Sequence, residues 1–206
     1  GATLANNINM AANDIPGDDN FNVMLGNFQD LKVFHDGTNS YVDDSGTGDL
    51  RLCGDNLGLM NAAHTEFYLY ATTNGAVDIK HNNVTKISTT ANGITVTGTA
   101  IATTDTDTSN TGSVTLDFAT NQNFVLTLTG NVTLANPSTE QVGQSGFITL
   151  IQDGTGSRTV SLGTDYETAA GAGLTLTATA SATDIVPYVV AAAGRILLGT
   201  PQLAFS

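Results

Sequence analysis

The feature that most constrains this chain is the alternation of apolar and polar residues in short runs closed by turn formers. Leu31-Lys32-Val33-Phe34 runs into His35-Asp36-Gly37, and Phe67-Tyr68-Leu69-Tyr70 leads to Thr72-Thr73-Asn74-Gly75. Val77-Asp78-Ile79-Lys80 runs into His81-Asn82-Asn83, and Ile94-Thr95-Val96 follows Asn92-Gly93. Apolar side chains at every second position line one face of a strand, whereas a helix needs spacings of three and four. Asp-Gly and Asn-Gly pairs supply the positive φ of tight hairpin turns. The pattern predicts an all-β protein with little helix.

Two regions differ in punctuation. From residue 30 to 101 the strands are short and their apolar faces thin, which reads as a β-rich, shaft-like repeat region behind a connecting or attachment segment at 1–29. Asp30-Leu31-Lys32-Val33 before Asp36-Gly37 is echoed by Asp49-Leu50-Arg51-Leu52 before Asp55-Asn56. Strands this short bury too little surface alone and must stack on neighbours or on other copies of the chain. An irregular single-chain sandwich is the alternative. Residues 102–111 hold almost nothing that could enter a core and read as a linker. Beyond them, at 112–206, the runs are longer and more apolar: Val114 to Phe118, Phe124 to Leu128, Val132 to Leu134, Phe147 to Ile151, Thr159 to Leu162, Leu174 to Thr177, Ile185 to Val190 and Arg195 to Leu198. Eight short strands at near-regular spacing predict a C-terminal β-sandwich, jelly-roll-like, able to fold alone. Phe124, Leu126, Leu128, Phe147, Leu150 and Ile196 are its expected core. Pro187, lacking an amide donor, is expected at a sheet edge or bulge. Asp153-Gly154-Thr155-Gly156-Ser157 is expected to close a hairpin.

Composition narrows the function. Charged residues are 12% of the chain, and 19 acidic against 6 basic side chains give a net charge of −13. That charge repels a phosphate backbone, so nucleic acid is not an expected partner. Cys53 is the single cysteine, which rules out an intrachain disulfide and suits assembly in a reducing cytoplasm. It is expected to be a small, half-buried apolar residue. No apolar run approaches the roughly 20 residues of a membrane helix. The chain opens on Gly1 and is expected to be the ordered portion of a longer polypeptide.

Three sets of segments carry a resemblance. DLKVFHDGTNSYV, TGDLRL and NGAVDIKHNNVTKISTTANGITVTGT resemble shaft repeats of tail-fibre and other virion proteins of marine tailed bacteriophages. LANNINMAANDI is similar to the connecting element that precedes such repeats. NFVLTLTGNVTLANP and SGFITLIQDGTGSRTVSLG are similar to the β-domain that follows them. The resemblance implies a homotrimeric structural protein of the virion, a tail fibre or spike segment assembled with other phage structural proteins. It also implies a possible host cell-surface glycan or protein as partner. A capsid decoration or head-fibre protein and a polysaccharide depolymerase tailspike are the rival functions.

Catalytic and metal chemistry finds little support in the residues. His64-Thr65-Glu66 does not complete a zinc-protease helix, and no nucleophile elbow, phosphate loop or Cys-x-x-Cys pair occurs. His35, His64 and His81 are isolated, although a three-fold axis would gather three copies of any one. The loop from Asp43 to Asp49 has oxygen ligands and glycines but lacks the distal Glu of a calcium loop. It is read as a turn. Neither a catalytic set, a cofactor nor a metal site is expected. A glycosidase needs two carboxylates across a sugar groove; Asp165 and Glu167 are the pair by proximity, read as loop carboxylates. With Tyr166 between them, in the long stretch Gly163 to Gly173, they are the expected receptor contact, because an aromatic in a loop offers a flat apolar face and a polar tip. That role requires Tyr166 to be exposed.

Overall fold

The computed structural model describes residues 19–26 and 28–205; most of the expected connecting segment 1–29 lies outside them. The protein is all-β: 51% of it is strand, with no α-helix among the described residues. Two compact units divide it, one ending at Gly98 and one beginning at Thr99.

The N-terminal unit holds two antiparallel sheets. Strands β1 (Asn22–Leu25), β2 (Leu31–His35) and β3 (Ser40–Asp44) form the first. The second is a meander of β4 (Asn56–Met60), β5 (Phe67–Thr72), β6 (Val77–His81), β7 (Val84–Thr90) and β8 (Gly93–Val96). The turn chemistry is the one the sequence carries. His81 pairs with Val84, and Asn82 and Asn83 both take positive φ, 49° and 59°, as a two-residue hairpin loop requires. Asp36 accepts from the amides of Thr38 and Asn39 and from the Tyr41 hydroxyl, beneath a stacked Phe34–Tyr41 pair with centroids 4.7 Å apart. The Asn39 amide bond, then those of Thr38 and Tyr41, hold its carboxyl below the usual range.

Two expectations fail in this unit. The second echo of the repeat is no strand: Leu50, Arg51 and Leu52 are irregular, with no strand paired to them among the described residues, and Leu50 and Leu52 are exposed. Cys53, next in line and expected to be half-buried, is exposed. The loop from Asp43 to Asp49 is an ordinary turn, in which the Gly46 amide donates to the Asp44 carboxylate and the Ser45 amide to the Asp30 carbonyl. None of the described residues up to Gly98 is buried, and Leu57, Leu59, Val77 and Ile79 lie exposed on the meander.

Among the described residues, all of the buried core lies in the C-terminal unit. Its axis is β10 (Asn123–Leu134), a 12-residue strand where the sequence suggested two strands, Phe124 to Leu128 and Val132 to Leu134. A side chain at Gly130 would collide with Thr111 of the neighbouring strand, so glycine serves close approach there. Along one edge of β10 runs β9 (Thr104–Val114), in parallel. The segment read as a linker at 102–111 is therefore largely an edge strand. Its Thr and Asp side chains hid it from hydrophobic patterning, because main-chain bonds to β10 hold it and its side chains stay mostly exposed.

Along the other edge of β10 run β11 (Ser145–Gln152) and then β12 (Val160–Leu162), both parallel to β10. Residues 153–159 are accordingly an excursion between two collinear strands, not a hairpin. Asp153 closes it, accepting from the amides of Thr155 and Gly156 and from the Arg158 guanidinium at 3.1 and 2.8 Å. Gln152, buried, accepts from the Arg158 amide and donates to the Arg158 carbonyl. The arginine, with help from the two amides, lowers the Asp153 carboxyl to about 2.

Strand β14 (Thr183–Ala192) pairs antiparallel with β11 on one edge; on the other it pairs with β15 (Arg195–Leu198) and β16 (Gln202–Phe205). Pro187 is therefore inside a strand paired on both edges. Its carbonyl accepts from Gly199, where β15 gives way to β16, and amide and carbonyl of one strand residue point to the same edge. The missing donor falls in that gap. Strand β13 (Tyr166–Glu167) pairs with β15, and since residues 163–165 connect it to β12, the sheet curls back towards β10.

Inside the curl lie Phe124, Leu126 and Leu128 with Ile148, Leu150 and Ile196. Phe118 packs on Phe124 and edge-on against Tyr188, centroids 4.9 and 5.3 Å apart, and the Tyr188 hydroxyl donates to the Gln122 carbonyl at 2.6 Å. Two expected strands are irregular segments whose leucines still serve the core: Leu116 is buried, and Leu174 and Leu176 pack partly against it. Phe147 is the failure among the expected core residues, 53% exposed on the opposite face. The run Phe147 to Ile151 is apolar at both parities, and pairing of Phe124 with Ile148 turns Ile148 inward.

Candidate functional site

The three residues singled out for receptor contact lie where the sheet curls back. Tyr166 is 5% exposed and belongs to the core, so the exposure that the expected receptor contact requires is missing. The apolar side of a two-residue strand has to face inward, and Tyr166 is that side. Burial, aided by the nearby carboxylates of Asp165 and Glu140, raises its hydroxyl well above the usual tyrosine value. The Tyr166 hydroxyl and one oxygen of Glu140 are the shielded side-chain atoms that have no hydrogen-bond partner among the described residues. The other Glu140 oxygen accepts from the Gly194 amide at 2.8 Å.

Asp165 and Glu167 are both partly exposed, but their roles are local. The Asp165 carbonyl accepts from Ile196. Glu167 forms a two-pronged ion pair with Arg195, at 2.8 and 3.1 Å, which holds its carboxyl below the usual range. A carboxylate kept ionised in this way is a poor proton donor for glycoside cleavage. No cluster of three or more His, Cys, Asp or Glu able to hold a metal occurs among the described residues.

The open surface nearby is a groove that the sequence did not single out. It follows the segment 168–178, irregular apart from one 3-10 turn at Ala169–Gly171. Three adjoining depressions of about 480, 260 and 260 Å³ line it, the first sharing Thr168 and Gly173 with the second, and the second sharing Leu174 and Thr175 with the third. Leu198, Thr200 and Leu203 form the facing wall of the middle part. Hydrogen bonds hold the segment in shape: the Gly173 amide donates to the Thr168 hydroxyl, Thr177 donates twice to Asp184, and Ser157 donates to the Ala178 carbonyl. Glu167 lines one end beside its partner Arg195, and Arg158, paired with Asp153, lines the other. Between these neutralised ends the walls are threonine hydroxyls, backbone, small residues, leucines, Pro201 and the edge of the largely buried Tyr166. Such a surface can hydrogen-bond a neutral polar ligand, and it brings no nucleophile and base together. The Ala169-Ala170-Gly171-Ala172-Gly173 run, too small in side chain to pack, was its one signal in the sequence.

The family comparison falls on the same unit. Residues 110–194 match the family described as "Putative phage tail fibre C-terminal domain". The match covers less than half of the chain and takes in β10 to β14 with the whole of the groove segment 168–178. It supports a structural protein of a phage tail fibre, hence a virion component that associates with other phage structural proteins. No curated protein and no solved structure matches. No helix among the described residues is long and apolar enough to cross a membrane.

Proposed function

We propose that the chain is a homotrimeric segment of a phage tail fibre, in which the N-terminal sheets act as shaft and the C-terminal unit meets the host surface through the groove beside 168–178. The observation that carries this reading is the tail fibre match over residues 110–194. The bare N-terminal unit supports it, because two sheets without a buried residue need cover from other chains to be stable. The groove suits a host glycan better than an anionic ligand: its charges are paired, and a chain of net charge −13 repels anions at long range. Weak contacts repeated over several fibres would then multiply in avidity, by on the order of 10² to 10⁴.

Two measurements test it. Gold-labelled antibody against the C-terminal unit should decorate tail fibres in electron micrographs; decoration of the capsid would favour a head-fibre or decoration role. Phage carrying Thr175→Arg, a side chain exposed in the groove, should adsorb to host cells at least tenfold more slowly with unchanged melting of the purified protein. Unchanged adsorption would remove the groove from host contact.

A further inference from the structure

The curled sheet of the C-terminal unit is apolar on both faces; the inner one is buried, and the outer one is half-buried over most of its strands and exposed at Phe147 and Val189. The outward side chains follow from the register: Thr106 of β9, Val125 and Thr127 of β10, Thr149 and Ile151 of β11, Ile185 of β14. Phe147 pairs with Pro187 beside them, and Val189 pairs with Leu197 of β15. Phe147 is 53% and Val189 40% exposed. At about 4.8 Å between strands and about 3.4 Å per residue, this face measures roughly 19 by 14 Å. A sheet with one face in water alternates apolar with polar residues, whereas strands covered on both faces read as continuous apolar runs. Phe147 to Ile151 and Ile185 to Val190 are runs of the second kind.

The centre of this face carries no charge, and at its far edge Arg195 of β15 and Glu167 of β13, which share the outward parity of Leu197, neutralise each other in an ion pair. In a chain with 19 acidic residues, every strand position just named is apolar or threonine. Asp105 and Asp107 of β9 pair with Phe124 and Leu126 and so share the parity of the inward side chains. Like-charged copies that approach one another must do so through a neutral surface, since juxtaposed carboxylates cost several kcal/mol. Stable interfaces bury about 800 Å² per partner, more than this face offers alone. The exposed apolar side chains of the N-terminal meander, Leu57, Leu59, Val77 and Ile79, provide further area on the same copies.

We infer that the outer face of the β10–β11–β14–β15 sheet, centred on Phe147, Pro187 and Val189, is covered by a second copy of this chain. This deepens the fibre reading and rests on it, since it assigns self-contact to the C-terminal unit as well as to the shaft.

The test uses the full chain with Cys53→Ser, so that a single introduced thiol reports. Val189→Cys and, as control, Val142→Cys, at an exposed position off the strands, are labelled with a polar maleimide under native conditions, and the mass of the labelled species is measured in parallel. The expected result is an oligomer in which Val189→Cys reacts at least tenfold more slowly than Val142→Cys, with equal rates in denaturant. Phe147→Glu in the same background should restore fast labelling at position 189 while the unit keeps its cooperative melt. An oligomer with equal native rates at the two positions would overturn the inference and leave the fibre reading standing. Slow labelling in a 21.2 kDa monomer would show that the chain covers the face itself, and would overturn it too. Fast labelling in a monomer would remove both the inference and the trimeric reading.

Discussion

Asp184 offers the sharpest test of how the C-terminal unit is held together. It is 1% exposed on β14, and its carboxylate accepts from the Thr177 amide at 2.6 Å, the Thr177 hydroxyl at 2.8 Å and the Ala204 amide at 2.9 Å. One side chain thus ties the end of the groove segment and strand β16 to the central sheet. Hydrogen bonds to a charged acceptor contribute about 1.5–3 kcal/mol each. They do not add fully here, because Thr177 is half-buried and Ala204 exposed, so water can serve both once the carboxylate is gone. Asp184→Ala should therefore cost about 3–5 kcal/mol, and Asp184→Asn about 2 kcal/mol, since one amide would face a donor in place of an acceptor. For a unit of this size 1 kcal/mol moves the melting midpoint by roughly 4–8 °C, so the alanine variant should melt at least about 12 °C lower. Melting and denaturant curves must be compared at one protein concentration, because association raises apparent stability. Hydrogen exchange should accelerate at the amides of Thr177 and Ala204. A loss below about 1 kcal/mol, or unchanged exchange at both amides, would refute the reasoning.

Three further perturbations follow from the same packing. Tyr166→Phe removes a shielded hydroxyl without a partner and should leave the melting point unchanged or raise it, whereas Tyr166→Ala should cost about 3–5 kcal/mol; equal losses in a denaturant titration would contradict the inward packing. Phe124→Ala should likewise cost about 3–5 kcal/mol, while Phe147→Ser should leave the fold of the unit intact by circular dichroism, even where association weakens. On acidification, Asp36, Asp78, Asp117, Asp153 and Glu167, all held below their usual values, contribute stability that is complete above the unfolded carboxylate range near pH 4. It is lost as pH falls towards about 2, so melting points should drop across that window, and Arg158→Gln should move the Asp153 titration, followed by NMR, upward.

How much of this was legible in the sequence depended on what held each element. Strands with alternating apolar residues and a turn pair after them, such as Leu31 to Phe34 and Val77 to Lys80, were readable because the local pattern and the fold agree. Strand β9 was not, since its bonds are main-chain bonds to β10 and its side chains say nothing of them. The echo at Asp49 to Leu52 looked like a strand and is none, because a strand needs a partner as well as a pattern. The groove was invisible for a related reason: residues 168–178 and Leu198 to Leu203 meet through tertiary contacts, among them the bonds of Asp184 to Thr177 and Ala204.

Parity was the harder problem, and it explains why the predicted contact residue is buried and a predicted core residue is exposed. In Phe147 to Gln152 and in Asp184 to Val190 the polar ends, Gln152 and Asp184, share the parity of Ile148, Leu150, Val186 and Tyr188. Reading polar as outward therefore turns the sheet over. The fold resolves it by giving both polar groups inward work: Gln152 closes the excursion at Arg158, and Asp184 anchors Thr177 and Ala204. A polar residue that supplies acceptors for loop amides can sit on the core side at little cost, because its partners come from the loops that cover it. What remains outward, Phe147, Ile151, Ile185 and Val189, is apolar with no such excuse within one chain, and the same parity argument that corrects the core makes that face a place for another copy.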